Sequence, residues 1–177
     1  MPDSRLALLR GINVGGKNKL PMRELAAMFE GAGCGNVRTF IQSGNVIFTA
    51  GAKVSASLAA VIASKIAEQF GHRVPVILRT AQELREVVSN NPYPDALDNL
   101  HAMFLADRPS PKQIAALDPN RSAPDEFIVR GGEIYLHLPN GVRDTKLTNA
   151  WFDSKLGTVS TGRNWRTVTK LLEMMGD

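Results

Sequence analysis

Residues 6–9, Leu-Ala-Leu-Leu, form an apolar run too short for a helix and without polar alternation, which predicts a strand buried on both faces. A glycine-rich loop follows over 10–20. Pro21 then suits the first turn of a helix, where its missing N–H costs nothing, and Leu25, Met28, Phe29 and Ala32 recur at helical spacing up to a stop at Gly31 or Gly33. Residues 37–41 and 46–49 are β-rich runs on either side of Gln42-Ser43-Gly44-Asn45, the composition of a hairpin turn. Leu58, Val61, Ile62, Lys65, Ile66 and Phe70 mark an amphipathic helix closed by Gly71. Residues 74–78 return as a strand that Pro75 places near a sheet edge. The order is β-α-β-β-α-β.

After a helix over 81–89 and the turn-rich segment 90–94, the same order begins again. Residues 102–105 read as a strand, and Ser110-Pro111 as a cap and first-turn proline for a short helix carrying Ile114 and Leu117. Residues 127–129 and 134–138 flank Gly131-Gly132 as a second hairpin. A helix is predicted over 145–156, with Leu147 and Trp151 at i, i+4 and a stop at Gly157, followed by a closing strand near 158–161. A last helix over 164–175 presents Trp165, Val168, Leu171, Leu172 and Met175 as an apolar stripe. The fold class predicted is α+β, two successive ferredoxin-like halves packed together with an extra C-terminal helix: 1–92 and 93–177. The first and third strands are expected to run parallel, which puts the 42–45 turn at the far end of the sheet from the 11–19 loop, roughly 17–20 Å away.

Composition narrows the setting. With 177 residues and 44% hydrophobic positions, the chain can bury a core, and no run approaches the roughly 18 apolar residues needed to cross a membrane. The first residues lack a signal peptide's long apolar region, so a cytoplasmic protein is expected. Cys34, the single cysteine, allows no intramolecular disulfide and reads as a small buried filler. The three histidines are scattered without metal-ligand spacing, so no metal site is expected. The net charge is +4. The surplus gathers at the two ends: Arg5, Arg10, Lys17 and Lys19 near the start, then Arg143, Lys146, Lys155, Arg163, Arg166 and Lys170 against Asp144 and Asp153.

Gly11-Ile12-Asn13-Val14-Gly15-Gly16-Lys17-Asn18 has the Gly-x-x-x-x-Gly-Lys spacing of a phosphate-cradling loop between a strand and a helix. Asn18 stands where magnesium binding needs Ser or Thr, and the following hairpin replaces the parallel crossover of a nucleotide-hydrolysing sheet. What survives is an anion nest of backbone N–H groups around Gly15 and Gly16, with Lys17 and Lys19 beside it. Near the other end, Asn164 can cap the last helix, and Arg163, Arg166 and Lys170 fall at i, i+3, i+7 on a side away from Trp165. Gln42, Ser43 and Asn45 read first as turn residues. No nucleophile elbow is present, and no catalytic residue is nominated.

The blocks running from Leu8 to Asn18, from Gln42 to Val46, and Arg163-Asn164-Trp165 with 167–171 resemble a bacterial family catalogued as domain of unknown function 1697. That resemblance implies a compact α+β protein with two similar subdomains. It implies no established reaction, so no catalytic residue is carried over, and any cofactor is unknown. The preferred expectation is binding of a phosphate-bearing small molecule, nucleotide-like, with Arg10, Asn13, Lys17, Asn18 and Lys19 on one side of the anion and Arg163, Asn164 and Arg166 on the other. Gln42, Ser43, Asn45 and Lys146 form a second tier. Nucleic acid ranks lower, because the strands lack an aromatic RNA-recognition pattern. An enzyme acting on a small anionic metabolite and a protein–protein interaction module are the alternatives.

Overall fold

The computed structural model describes residues 3–176. It holds two four-stranded antiparallel sheets, each with its own helices, consistent with two ferredoxin-like halves. The first contains β1 (Ser4–Leu9), α1 (Met22–Gly31), β2 (Gly35–Phe40), β3 (Asn45–Thr49), α2 (Ala52–Phe70) and β4 (Val76–Thr80), with strand order β2-β3-β1-β4. After α3 (Ala81–Ser89), the second contains β5 (Leu100–Leu105), α4 (Pro111–Ala115), β6 (Glu126–Arg130), β7 (Glu133–His137), α5 (Asn149–Leu156) and β8 (Ser160–Asn164), in the matching order β6-β7-β5-β8. The last helix is α6 (Trp165–Met174). No helix among the described residues is long and apolar enough to cross a membrane.

The chain divides into two compact units, one running to Arg85 and resuming at Leu171, the other Glu86–Lys170. Both boundaries fall inside helices, α3 and α6, whereas the turn-rich segment at 90–94 points to 92/93. The ends of these helices bond to residues distant in the chain. In the second unit Tyr135 donates its buried hydroxyl to the Val87 carbonyl oxygen at 2.6 Å. In the first unit Arg38 Nη2 donates to Met174 O at 2.6 Å.

In the first unit Ala7 and Leu9 of β1, with Val46 and Phe48 of β3, pack against Leu25, Met28 and Phe29 of α1 and Leu58, Ile62 and Ile66 of α2. The i, i+4, i+8 spacing in α2 is what turns one stripe to the sheet; Gly71 ends that helix in the left-handed conformation. Leu6 and Leu8 are fully buried too, as the apolar run predicts. Cys34 sits in this core, where burial pushes its thiol pKa up. The second core joins Met103 and Leu105, Ile134 and Leu136, Phe152 and Leu156.

Three local expectations change. The helix predicted over 145–156 begins only at Asn149, because Thr148 Oγ1 accepts from Trp151 N at 3.2 Å and ends the extended segment; Leu147 is a core residue ahead of the helix. The closing strand extends through Asn164, so Arg163 lies on β8 and not in helical register with Arg166 and Lys170. The third change bears on function. β1 pairs antiparallel with β3, Leu8 opposite Asn45, and Leu9 N donates to Gly44 O at 2.9 Å. The α1 crossover makes β2 parallel to β1, the hairpin then reverses β3, and the hairpin turn lands beside the end of β1, not a strand length away.

Candidate functional site

The loop after β1 folds as a small hairpin finger. Lys17 N donates to Val14 O at 2.9 Å and Asn13 N to Asn18 O at 3.2 Å, around central residues Gly15 (φ +56°) and Gly16 (φ +76°). Two successive positive φ values are what a type I′ turn demands, and glycine meets both without strain. The Gly-Lys spacing therefore serves a two-residue hairpin, not a phosphate-wrapping loop. The finger's feet, Ile12 and Leu20, are buried in the core and fix its direction.

Two asparagines lock it. Asn13 Nδ2 donates to Leu20 O at 2.9 Å and to Gln42 O at 2.8 Å, while its Oδ1 accepts from Leu20 N at 2.8 Å. Asn18 Nδ2 donates to Gly11 O at 2.9 Å. Both asparagines occupy the left-handed region (φ +55° and +50°), which their short polar side chains tolerate. Their carboxamides are thus spent on holding finger, helix start and hairpin turn together. Asn45, fully buried, donates to Phe40 O at 3.1 Å and Ser43 Oγ at 3.0 Å and closes the turn from inside. Arg10 joins the loop to β4 through its N–H, which donates to Pro75 O at 3.1 Å.

Between finger and turn lies an open hollow of about 390 Å³ lined by Asn13, Gly16, Lys19, Leu20, Pro21 and Gln42. Leu20 and Pro21 contribute its apolar lining, and Asn13, Lys19 and Gln42 its amide and cationic groups. The N–H groups of Gly15 and Gly16 have no hydrogen-bond partner among the described residues, and Lys17 and Lys19 are exposed beside them. His72, read in the sequence only as one of three scattered histidines, stands 3.0 Å from the Lys19 carbonyl oxygen through Nε2 and stacks against Phe70.

The second basic group lines a hollow of its own, within the second unit. It measures about 240 Å³ and is lined by Leu97, Asp98, Leu100, His101, Asn164, Trp165 and Arg166. Asn164 Oδ1 accepts from Thr167 N at 2.8 Å, so it caps α6. His101 pairs across the sheet with Asn164, burial lowers its pKa, and its buried Nδ1 has no partner. Arg163 is buried: Nη1 donates to Thr161 Oγ1 at 2.9 Å and Gly162 O at 2.7 Å, and burial lowers its pKa to about 10. Lys146 lies elsewhere in that unit, its N–H donating to Ser122 Oγ at 2.9 Å and its carbonyl accepting from Arg121 Nε at 2.9 Å. Among the described residues no group of three or more His, Cys, Asp or Glu is placed to hold a metal ion.

The model of the family described as "Protein of unknown function (DUF1697)" matches residues 3–135. The chain belongs to this family. Among curated proteins nothing matches it. A DUF1697 chain of this architecture is similar to a solved structure described as the conserved bacterial protein SP0830 from Streptococcus pneumoniae, with TM-score 0.71 and 22% identity over 97% of this chain and 98% of that one. At that identity the likeness shows a shared fold. Of the residues singled out in this DUF1697 sequence, Asn13, Lys19 and Gln42 come together at one hollow, with Lys17 on the finger, and Asn164 and Arg166 at another. The signal for His101 was its place on a strand one pairing away from Asn164, which no local pattern carries.

Proposed function

We propose that this DUF1697 protein binds a small phosphate-bearing ligand at the finger of its first unit. One observation carries the reading: Gly16 and Lys19 line a preformed hollow, and the adjacent N–H groups of Gly15 and Gly16, with the exposed Lys17 next in the chain, have no hydrogen-bond partner among the described residues. Backbone N–H groups and ammonium ions together suit a phosphate, and a finger pinned by Asn13 and Asn18 loses little entropy when the anion arrives. Hydrogen bonds to a charged group contribute about 1.5–3 kcal/mol each when water is excluded. The buried thiol of Cys34 suits a reducing cytosol as the setting.

Isothermal titration with inorganic phosphate, ribose 5-phosphate, AMP and a short oligonucleotide, at two salt concentrations, tests this. Salt-weakened binding that is lost in Lys17→Ala/Lys19→Ala supports the reading. No binding by any probe, or binding that the double variant leaves intact, ends it. Binding confined to the oligonucleotide makes nucleic acid the ligand.

A second reading, an enzyme acting on a small anionic metabolite, is favoured by the hollow in the second unit. There the neutral imidazole of His101, a proton acceptor, stands with Arg166 and the carboxylate of Asp98. Addition of phosphate or acetate should shift the His101 ring resonances; unmoved resonances at millimolar anion remove that reading.

A further inference from the structure

Resting on the reading that the second unit's hollow takes a small anionic ligand, we infer that this ligand is an α-amino acid with an apolar side chain, held as its zwitterion, carboxylate toward Arg166 and Asn164 and ammonium toward Asp98. Three separate elements bring these groups to one hollow: Asp98 lies in a single 3₁₀ turn over Leu97–Asn99, Asn164 ends β8, and Arg166 is in the first turn of α6. Their bonding capacity is unspent. The Asn164 side chain makes one bond among the described residues, accepting from Thr167 N at 2.8 Å through Oδ1, which leaves Nδ2 a donor without a partner. The Arg166 guanidinium and the Asp98 carboxylate are exposed and make no hydrogen bond or ion pair among the described residues. His101 lines the same hollow with a buried Nδ1 that also lacks a partner, and such an atom calls for a bound water or ligand.

Two opposite charges that line one hollow without pairing with each other set the charge pattern of its occupant. A plain anion answering Arg166 brings a like charge to Asp98, and a plain cation answering Asp98 does the same to Arg166; like charges brought together cost affinity. A ligand carrying both charges answers both groups. An α-amino acid carries them on neighbouring atoms of one short frame, which suits a hollow of about 240 Å³, below the roughly 300–1,000 Å³ of drug-sized sites. Leu97, Leu100 and Trp165 supply the apolar part of the lining. Leu97 is 47% exposed, so an aliphatic side chain laid there covers apolar surface otherwise open to water.

The test titrates the full chain, carrying isotope-labelled histidine, with leucine, N-acetylleucine, leucine amide and acetate. The ring resonances of His101, assigned by their loss in His101→Gln, report binding at this hollow. Leucine should shift them saturably. N-acetylleucine, which lacks the ammonium group, and leucine amide, which lacks the carboxylate, should each bind roughly tenfold more weakly, the loss expected when one hydrogen-bonded charge goes unanswered. Arg166→Gln should abolish the preference for leucine over leucine amide and keep that over N-acetylleucine; Asp98→Asn should do the reverse. Both residues are exposed, so neither substitution removes core packing. Acetate binding as tightly as leucine, or both preferences unchanged in both variants, overturns this inference and leaves the anionic-ligand reading standing. Unmoved His101 resonances with all four compounds overturn both.

Discussion

Replacing Gly44 by alanine places a methyl carbon 2.8 Å from Leu9 Cβ, 3.0 Å from Ile12 Cδ1 and 3.1 Å from Ile12 Cγ1, at a backbone φ of +85°. Two costs add. A side chain in the left-handed region costs roughly 1–2 kcal/mol, and forcing a methyl into packed surroundings costs about 1–3 kcal/mol. The neighbour at 2.8 Å is a Cβ, fixed to the backbone of β1, and the Gly44 carbonyl accepts the Leu9 N–H at the same place, so the strand cannot retreat without breaking that bond. The expected loss is about 2–5 kcal/mol in the first unit, a Tm drop of roughly 4–20 °C for a chain of this size. Gly15→Ala supplies the reference, because its φ is +56° but a methyl there meets nothing within 4 Å. It bears the conformational cost alone. Urea unfolding followed by circular dichroism on both variants measures the difference. Equal destabilisation would refute the reasoning, since it would mean that the hairpin turn, the end of β1 and the foot of the finger yield together instead of packing rigidly.

Two further outcomes follow from the second unit. Asn164→Ala removes the side chain that accepts from Thr167 N and should cost about 0.5–2 kcal/mol, read as a lower urea midpoint with unchanged m-value. His101 has its pKa lowered below its ordinary 6.5 by burial. The unfolded chain takes up that proton first as pH falls, so stability present above pH 6.5 declines below it, through the interval between the unfolded and folded values. His101→Gln should flatten that part of the curve of stability against pH; an identical slope in both proteins would show that His101 does not contribute it.

Elements whose signals lie within one helical turn or one tight turn were legible in advance. Leu58, Ile62 and Ile66 announce α2 and Gly71 its end; Ser110 and Pro111 announce the start of α4. These depend on steric and hydrogen-bonding choices made between near neighbours, so a single chain read from end to end contains them. Their repeated order was enough to reach an α+β fold in two halves.

Which ends meet, and which charges are left exposed, was settled by pairing over long separations. The sequence makes Arg163 and Arg166 look alike, yet the first lies on a buried position of β8 while the second, in the first turn of α6, stays at the surface. The hairpin turn seemed remote from the glycine loop until the antiparallel register of Leu8 with Asn45 brought them together. The sequence by itself determined the elements and their order; only the tertiary structure decided that finger and turn share one hollow and that Asn13 is a clamp. The physical reason is that strand direction and burial are properties of contacts between residues about 30 or more positions apart, as in the bond from Asn13 to Gln42, and no local preference encodes them.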